Sequence, residues 1–212
     1  MGIDHAYCDF DCKSFARDAV KLLHGLGTEK VSIMLPPSQY SYAQFMQDGF
    51  CEGVEATRMQ SSMIHADASV FSADLVSERV AEIMKKKSRP DGLICPSATA
   101  AVGAIGGVEA AGLEVGEDVN IVTKQSPANM LRWFGRKIYS IEENFKATGF
   151  ELGKSLLALI DGAPVADHQQ VVYKENAGIC VLSGNLLNEP TASEHGGRTG
   201  SARVGAVLHV VD

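Results

Sequence analysis

The chain has 212 residues, 45% of them hydrophobic and 21% charged, and a formal net charge of −7. That is material for one large domain or two small ones, with the composition of a globular soluble protein. An acidic balance excludes a surface that grips nucleic acid through its phosphates, and no apolar run approaches the roughly 18 residues that span a bilayer.

The first residues lack a basic segment followed by an apolar one, so no secretory signal is expected, and Ala6 stands where myristoylation needs Ser or Thr. Five cysteines without an export signal read as free thiols in a reducing cytoplasm. Cys95, in a predicted strand, and Cys51, on a predicted helix, are expected to be small core residues. His5, Cys8 and Cys12 lack a fourth ligand and match no common zinc spacing, so no metal is expected.

From there helix and strand alternate. Residues 14–26 carry Phe15, Val20, Leu22 and Leu23 at helical positions, with a glycine stop at Gly25 and Gly27. Residues 31–35 read as a buried strand ended by Pro36 and Pro37. A helix is predicted over 40–54 with Phe45, Phe50 and Val54 at helical spacing, and a strand over 60–64. The helix over 72–87 directs Leu75, Val76, Val80, Ile83 and Met84 inward and ends in Lys85, Lys86 and Lys87, cations that suit a solvated helix C-terminus.

Residues 89–123 are the most informative stretch. A Pro-Asp-Gly turn opens a buried strand over 92–95, Ser97 occupies an N-cap position, and an Ala- and Gly-rich helix over 98–111 stops at Gly112. A second strand begins over 119–122. This is a parallel strand-helix-strand unit, and ligands of open parallel sheets sit at the carboxyl ends of the strands, here 95–99 and 123–126. Residues 126–136 read as irregular or a short helix holding Trp133. A strand follows over 137–141, an amphipathic helix over 144–160, and strands over 169–173 and 178–182. The polar, Gly-rich stretch 183–204 is expected to be mobile, and the apolar 204–211 has no assigned place.

Gly103, Gly106 and Gly107 lie inside a helix rather than in the turn that opens one, so they read as packing positions and not as a pyrophosphate cradle. Pro96 and Ala98 flank Ser97 where a nucleophile elbow needs glycines, so Ser97 reads as a cap compatible with ligand contact. Glu142 and Glu143 read as a solvated pair, not as the facing carboxylates of a hydrolase. No nucleophile, base and oxyanion hole assemble, and no cofactor motif occurs. The chain reads as a binder rather than an enzyme.

Taken together, residues 19–35 (AVKLLHGLGTEKVSIML), the pair Gly49 and Phe50, residues 89–105 (RPDGLICPSATAAVGAI), 112–122 (GLEVGEDVNIV) and 140–162 (SIEENFKATGFELGKSLLALIDG) resemble LacI/GalR-type transcriptional regulators. The similarity is collinear over residues 8–182. It implies an α/β, parallel-sheet, periplasmic-binding-protein-like (type I) core over 11–182. By this resemblance 11–141 and 173–182 form a complete C-terminal subdomain, 142–172 are the remnant of an N-terminal one, and 183–212 are a tail. The helix face of Phe145, Leu152, Leu156 and Leu159 would then lack its sheet, an arrangement that suggests a partial gene product.

The resemblance also implies effector contacts at Tyr42, Met46, Phe71, Ser97, Lys124, Gln125 and Glu143. Met46 stands where the family carries an arginine, Phe71 where the lactose repressor stacks an aromatic on sugar, and Thr123, Lys124 and Gln125 replace a Gly-aromatic-Asp run. These changes alter the hydrogen-bond inventory of the cleft. Lys124 either favours an acidic sugar or a phosphate, or points to solvent. Trp133 falls at the family's dimer contact or is a core residue. The implied function is a sugar-responsive cytoplasmic regulator, a homodimer that meets operator DNA only through a helix-turn-helix absent from this chain. The alternative is a solute-binding protein for sugar transport or chemotaxis.

Overall fold

The computed structural model describes residues 5–65, 72–125, 131, 134–143, 145–172, 179–182 and 209–211. In chain order the elements are β1 (Tyr7–Phe10), α1 (Cys12–Gly25), β2 (Lys30–Leu35), α2 (Ser41–Thr57), β3 (Gln60–His65), α3 (Ala73–Met84), β4 (Gly92–Cys95), α4 (Ala98–Ala110), β5 (Asn120–Gln125), β6 (Ile138–Glu142), α5 (Phe145–Ile160), β7 (Gln169–Val172), β8 (Ile179–Leu182) and β9 (His209–Val211), with a 3-10 turn at Val165–His168.

Seven strands form one sheet in the order β3-β2-β4-β5-β6-β8-β9. It is parallel from β3 through β6, and β8 runs antiparallel to β6. Side chains alternate across the pleat, so each strand serves two cores. Val31, Ile33, Ile94, Val122, Tyr139 and Ile141 pack on one face with Phe15, Val20 and Leu23 of α1 and Met46 and Phe50 of α2. Met34, Leu93, Cys95, Ile121 and Ile138 pack on the other with Val76 and Val80 of α3 and Ala101, Ala104, Ile105 and Val108 of α4. Cover on both faces explains why these strands read as continuous apolar runs rather than alternating ones. The fully buried Ser32 meets the Ser62 hydroxyl, and no buried side-chain polar atom lacks a partner among the described residues.

Glycines let the helix pairs close. A Cβ on Gly49 of α2 would overlap the Lys13 carbonyl, and one on Gly53 would lie 2.8 Å from the Val20 Cβ. A Cβ on Gly103 of α4 would overlap the Ala73 carbonyl, and one on Gly107 would lie 2.5 Å from the Ser77 oxygen. The packing reading of these glycines therefore holds, with α3 rather than the sheet as the close neighbour. Gly112, at φ +77°, turns the chain out of α4.

The strand-helix-strand unit lies where the sequence puts it, and Asp91 of its opening turn accepts from the backbone N–H groups of Glu29 and Lys30 at 2.9 and 2.7 Å. Two expectations need correction. Leu75, expected inward, is 52% exposed, because Val76, about 100° further round α3, takes the inward position; Phe45, at helical spacing on α2, is likewise 54% exposed beside the buried Met46. Cys51 is exposed on α2 instead of buried. Before residue 11, β1 pairs in parallel with β7, Tyr7 opposite Gln169 through Phe10 opposite Val172.

The sheet of β1 and β7 contacts α5 but leaves most of that helix uncovered. Of α5 only Ser155 is buried, while Phe145, Phe150, Leu152, Leu156, Leu157 and Ile160 are exposed. Of the face singled out in the sequence, Phe145, Leu152 and Leu156 are exposed and Leu159 is partly buried. Residues 183–208, expected to be mobile, lie outside the described residues. Residues 209–211 extend the large sheet in parallel with β8.

Candidate functional site

A cleft of about 500 Å³ opens at the carboxyl ends of β4, β5 and β6. Its wall on the large-sheet side comes from Cys12, Tyr42, Pro96, Ser97, Ala98, Lys124 and Glu143, and on the small-sheet side from Asp9, Phe10 and Phe145. Pro96 ends β4 and Ser97 caps α4, its Oγ accepting from the Ala100 N–H at 3.2 Å. The buried Thr123 hydroxyl donates to the Ser97 carbonyl at 3.2 Å and ties this loop to β5. A capping serine keeps its own O–H to donate, so cap and ligand contact coexist at Ser97.

Lys124 is the electrostatic centre of the cleft. Its Nζ lies 2.9 Å from Glu143 Oε1, donates to Cys12 Sγ at 3.1 Å and stands 5.4 Å from the centre of the Phe15 ring. Both charged side chains of the pair are largely buried, at 12% and 16% exposure. Burial alone pulls the ammonium's pKa down, but Glu143 and then Cys12 outweigh it, and the net displacement is upward. Lys124 therefore stays charged at neutral pH and does not point to solvent. Glu143 is held by that ammonium, which corrects its reading as half of a solvated pair. Burial raises the Cys12 thiol, with Lys124 acting the other way, so Cys12 remains a neutral thiol.

Tyr42 stacks on Tyr40 with ring centres 5.6 Å apart and planes at 23°. Burial raises its phenol, so it offers an intact hydroxyl and an aromatic face. Across the cleft, Phe10 and Phe145 meet edge to face at 4.9 Å, and the exposed Asp9 accepts from the Phe10 N–H at 2.8 Å.

Four expected site residues, Tyr42, Ser97, Lys124 and Glu143, thus line one cleft. Met46 does not. It is fully buried among the apolar residues of α1 and α2, where a methionine fits and an arginine would lack a partner. The backbone of Gln125 ends β5 at the cleft, but its side chain, Phe71 and Trp133 lie outside the described residues. Sequence reading missed Asp9, Phe10 and Cys12 as cleft residues. The usable signal was Asp11, whose carboxylate accepts from the Ser14 N–H at 2.9 Å and starts α1 two residues earlier than predicted. Among the described residues no group of three His, Cys, Asp or Glu side chains is placed to hold a metal, and no helix is long and apolar enough to cross a membrane.

Residues 20–176 match the periplasmic binding protein-like domain. The HTH-type transcriptional regulator AglR of Rhizobium meliloti (strain 1021) is 21% identical over 158 residues, which are 73% of this chain and 44% of AglR. Among solved structures, a regulatory protein of the LacI family from Chloroflexus aggregans superposes with a TM-score of 0.72 at 18% identity, over 81% of this chain and 62% of that one. The transcription regulator CcpA of Lactococcus lactis gives 0.71 at 15% identity, over 85% and 65%. The chain spans less than two thirds of each of these relatives. With residues 20–176 matched, the chain belongs to the periplasmic binding protein-like domain family, and it shares its fold with the LacI-family structures.

Proposed function

We propose that this chain is the effector-binding region of a LacI-type transcriptional regulator and that its effector is a small neutral carbohydrate held in the cleft around Lys124. The observation that carries this reading is the Lys124–Glu143 pair at 2.9 Å. An anionic sugar or a phosphate drawn to the ammonium must displace Glu143 or sit beside it, with the Asp9 carboxylate also on the wall. A neutral polyol meets no such repulsion. It finds a donor at Ser97, a phenol at Tyr42 and aromatic faces at Tyr42 and Phe145. A cleft of about 500 Å³ is of the size small-molecule sites have.

In this reading residues 11–141 and 173–182 make one lobe of the core, and the β1–α5–β7 layer contributes to a second. Further polypeptide covers the exposed face of α5 in the working regulator. A ligand touching both walls favours one relative orientation of the lobes, and operator affinity follows through a helix-turn-helix borne outside these residues. The coupling is reciprocal, so operator DNA changes effector affinity by the same factor. The working species is a cytoplasmic homodimer.

A thermal-shift panel of neutral hexoses, hexuronates and hexose phosphates tests the ligand class. A neutral sugar at about a hundred times its Kd should raise Tm by roughly 5–10 °C, and Ser97→Ala and Tyr42→Phe should lose part of that shift. Stabilisation by hexuronates or hexose phosphates alone would refute the neutral ligand. No response to any sugar would refute the carbohydrate reading.

A further inference from the structure

Two chain crossings join the small layer to the large sheet among the described residues. One runs from Phe10, the last residue of β1, through Asp11 to Cys12, the first of α1. The other runs from Glu142, the last of β6, through Glu143 to Phe145, the first of α5. On the small-layer side the crossings meet through the Phe10–Phe145 edge contact at 4.9 Å. On the large-sheet side a single ammonium reaches both, because Lys124 on β5 contacts Cys12 just after one crossing and Glu143 just after β6 on the other.

We propose that Lys124 is a positioning residue that pins the two crossings together, and so sets the angle between the β1–α5–β7 layer and the large sheet. Lys124 sits opposite Ile141 of β6, one residue past the last β4–β5 pair at Thr123, so its backbone belongs to the rigid frame. Its two partners belong to short segments at element ends, the kind of segment that absorbs the backbone rotation when layers move. Backbone rotation at either crossing, which a change of cleft width requires, shifts Cys12 or Glu143 relative to Nζ and leaves a largely buried ammonium short of a partner, which opposes the movement. Asp11 does not share the task, since its carboxylate caps α1 through Ser14. The pin makes cleft width a property of this chain whatever molecule the cleft takes.

Three cysteines supply the test, and no ligand is needed. Cys51 is exposed, Cys12 is 6% exposed on the cleft wall, and Cys95 is fully buried in the core. Native protein is treated with iodoacetamide, and labelling at each thiol is followed by peptide mass mapping in wild type and Lys124→Met. Removing the ammonium takes away the charge that lowers the Cys12 thiol, so the intrinsic reactivity of Cys12 falls. Faster labelling therefore has to come from access. We expect Cys12 to label at least about tenfold faster relative to Cys51, with Cys95 still protected. Amide exchange at Cys12 and Phe145 should rise in the same variant. Glu143→Gln, which keeps the lysine over Cys12, should raise exchange at the same amides, and the double variant should go no further than Lys124→Met.

Unchanged Cys12 labelling would overturn the pin. So would Cys95 labelling that rises in step, which reports global unfolding. Faster Cys12 labelling without faster amide exchange at the crossings would overturn it as well, because the lysine would then only shield the thiol. Additive effects in the double variant would separate the two contacts and refute a shared pin.

Discussion

Alanine at Gly107 should destabilise the protein, although alanine normally strengthens a helix. In an exposed helix interior, glycine to alanine contributes about 0.8–1.0 kcal/mol of stability. At Gly107 the new Cβ would lie 2.5 Å from the Ser77 oxygen and 2.6 Å from the Val80 Cβ, against the 3.4 Å at which ordinary contact begins. The obstacle is a backbone carbonyl and a branched Cβ, neither of which can rotate away, so α3 and α4 must separate by most of an ångström. With a backbone carbonyl as the obstacle, overpacking takes the upper part of its range, about 2–3 kcal/mol, which less the helix gain leaves a net loss of roughly 1–2 kcal/mol and a fall in Tm of roughly 2–8 °C. Gly106 is the internal control. Its Cβ would meet the Ser77 hydroxyl at 3.0 Å, a group that can turn aside, and the Ser77 Cβ at an ordinary 3.7 Å, so Gly106→Ala should be neutral or stabilising by up to about 1 kcal/mol. Urea and thermal denaturation of both variants, with m unchanged, provide the assay. A Gly107→Ala protein as stable as wild type would refute the close approach of α3 and α4. Equal losses at both positions would mean that α4 is rotated from the orientation described, since adjacent residues point about 100° apart.

Asp91→Ala removes the acceptor of the Glu29 and Lys30 N–H groups that opens β2, and should cost about 1–3 kcal/mol by chemical denaturation. Stability should also fall as pH rises through 9.0, the ordinary thiol value. Burial raises Cys12 and Cys95 in the folded state, so the unfolded chain loses these protons first, at up to about 1.4 kcal/mol per pH unit per thiol. A Cys95→Ala variant should show a shallower fall between pH 8 and 10, and an equal slope would remove Cys95 from the account. Leu156→Lys and Ile160→Lys replace residues that are 59% and 71% exposed, so they should leave stability within about 0.5 kcal/mol and lower self-association in light scattering.

The strand-helix-strand unit was legible in the sequence because its signals agree. A turn, an apolar run, a capping serine and a glycine stop fall in one order that parallel strands with a covering helix satisfy. Helix faces were less legible. Phe45 lies next to Met46, and Leu75 next to Val76, and hydrophobicity alone does not say which of two neighbours faces the core. The decision comes from the partner helices, α1 for α2 and α4 for α3, whose positions the sequence does not give. β1 was illegible for another reason. Tyr7–Phe10 is short, contains an aspartate and, among the described residues, pairs with Gln169–Val172, about 160 residues further along the chain. Local patterning carries no trace of such a pairing.

The cleft illustrates how register turns unremarkable residues into a site. Lys124 and Glu143 were each identifiable, but as a cation of uncertain direction and half of a surface pair. β5 and β6 run parallel with Lys124 opposite Ile141 and Gln125 opposite Glu142. Since side chains alternate, Lys124 shares its face with Val122, and Glu143, two residues past Ile141, continues the face of Tyr139 and Ile141. Val122, Tyr139 and Ile141 all pack toward α1. The ammonium, near the end of β5, and the carboxylate, just past β6, are thereby brought to one face under the start of α1, where Cys12 is the first residue after Asp11. Three facts are needed, the strand order, the register and the face covered by α1, and each is a tertiary fact. Burial does the rest. Closed over by Phe15 and the cleft wall, the Lys124 ammonium is held against the cost of burial first by Glu143 and then by Cys12, so losing Glu143 leaves a largely buried charge without its main partner.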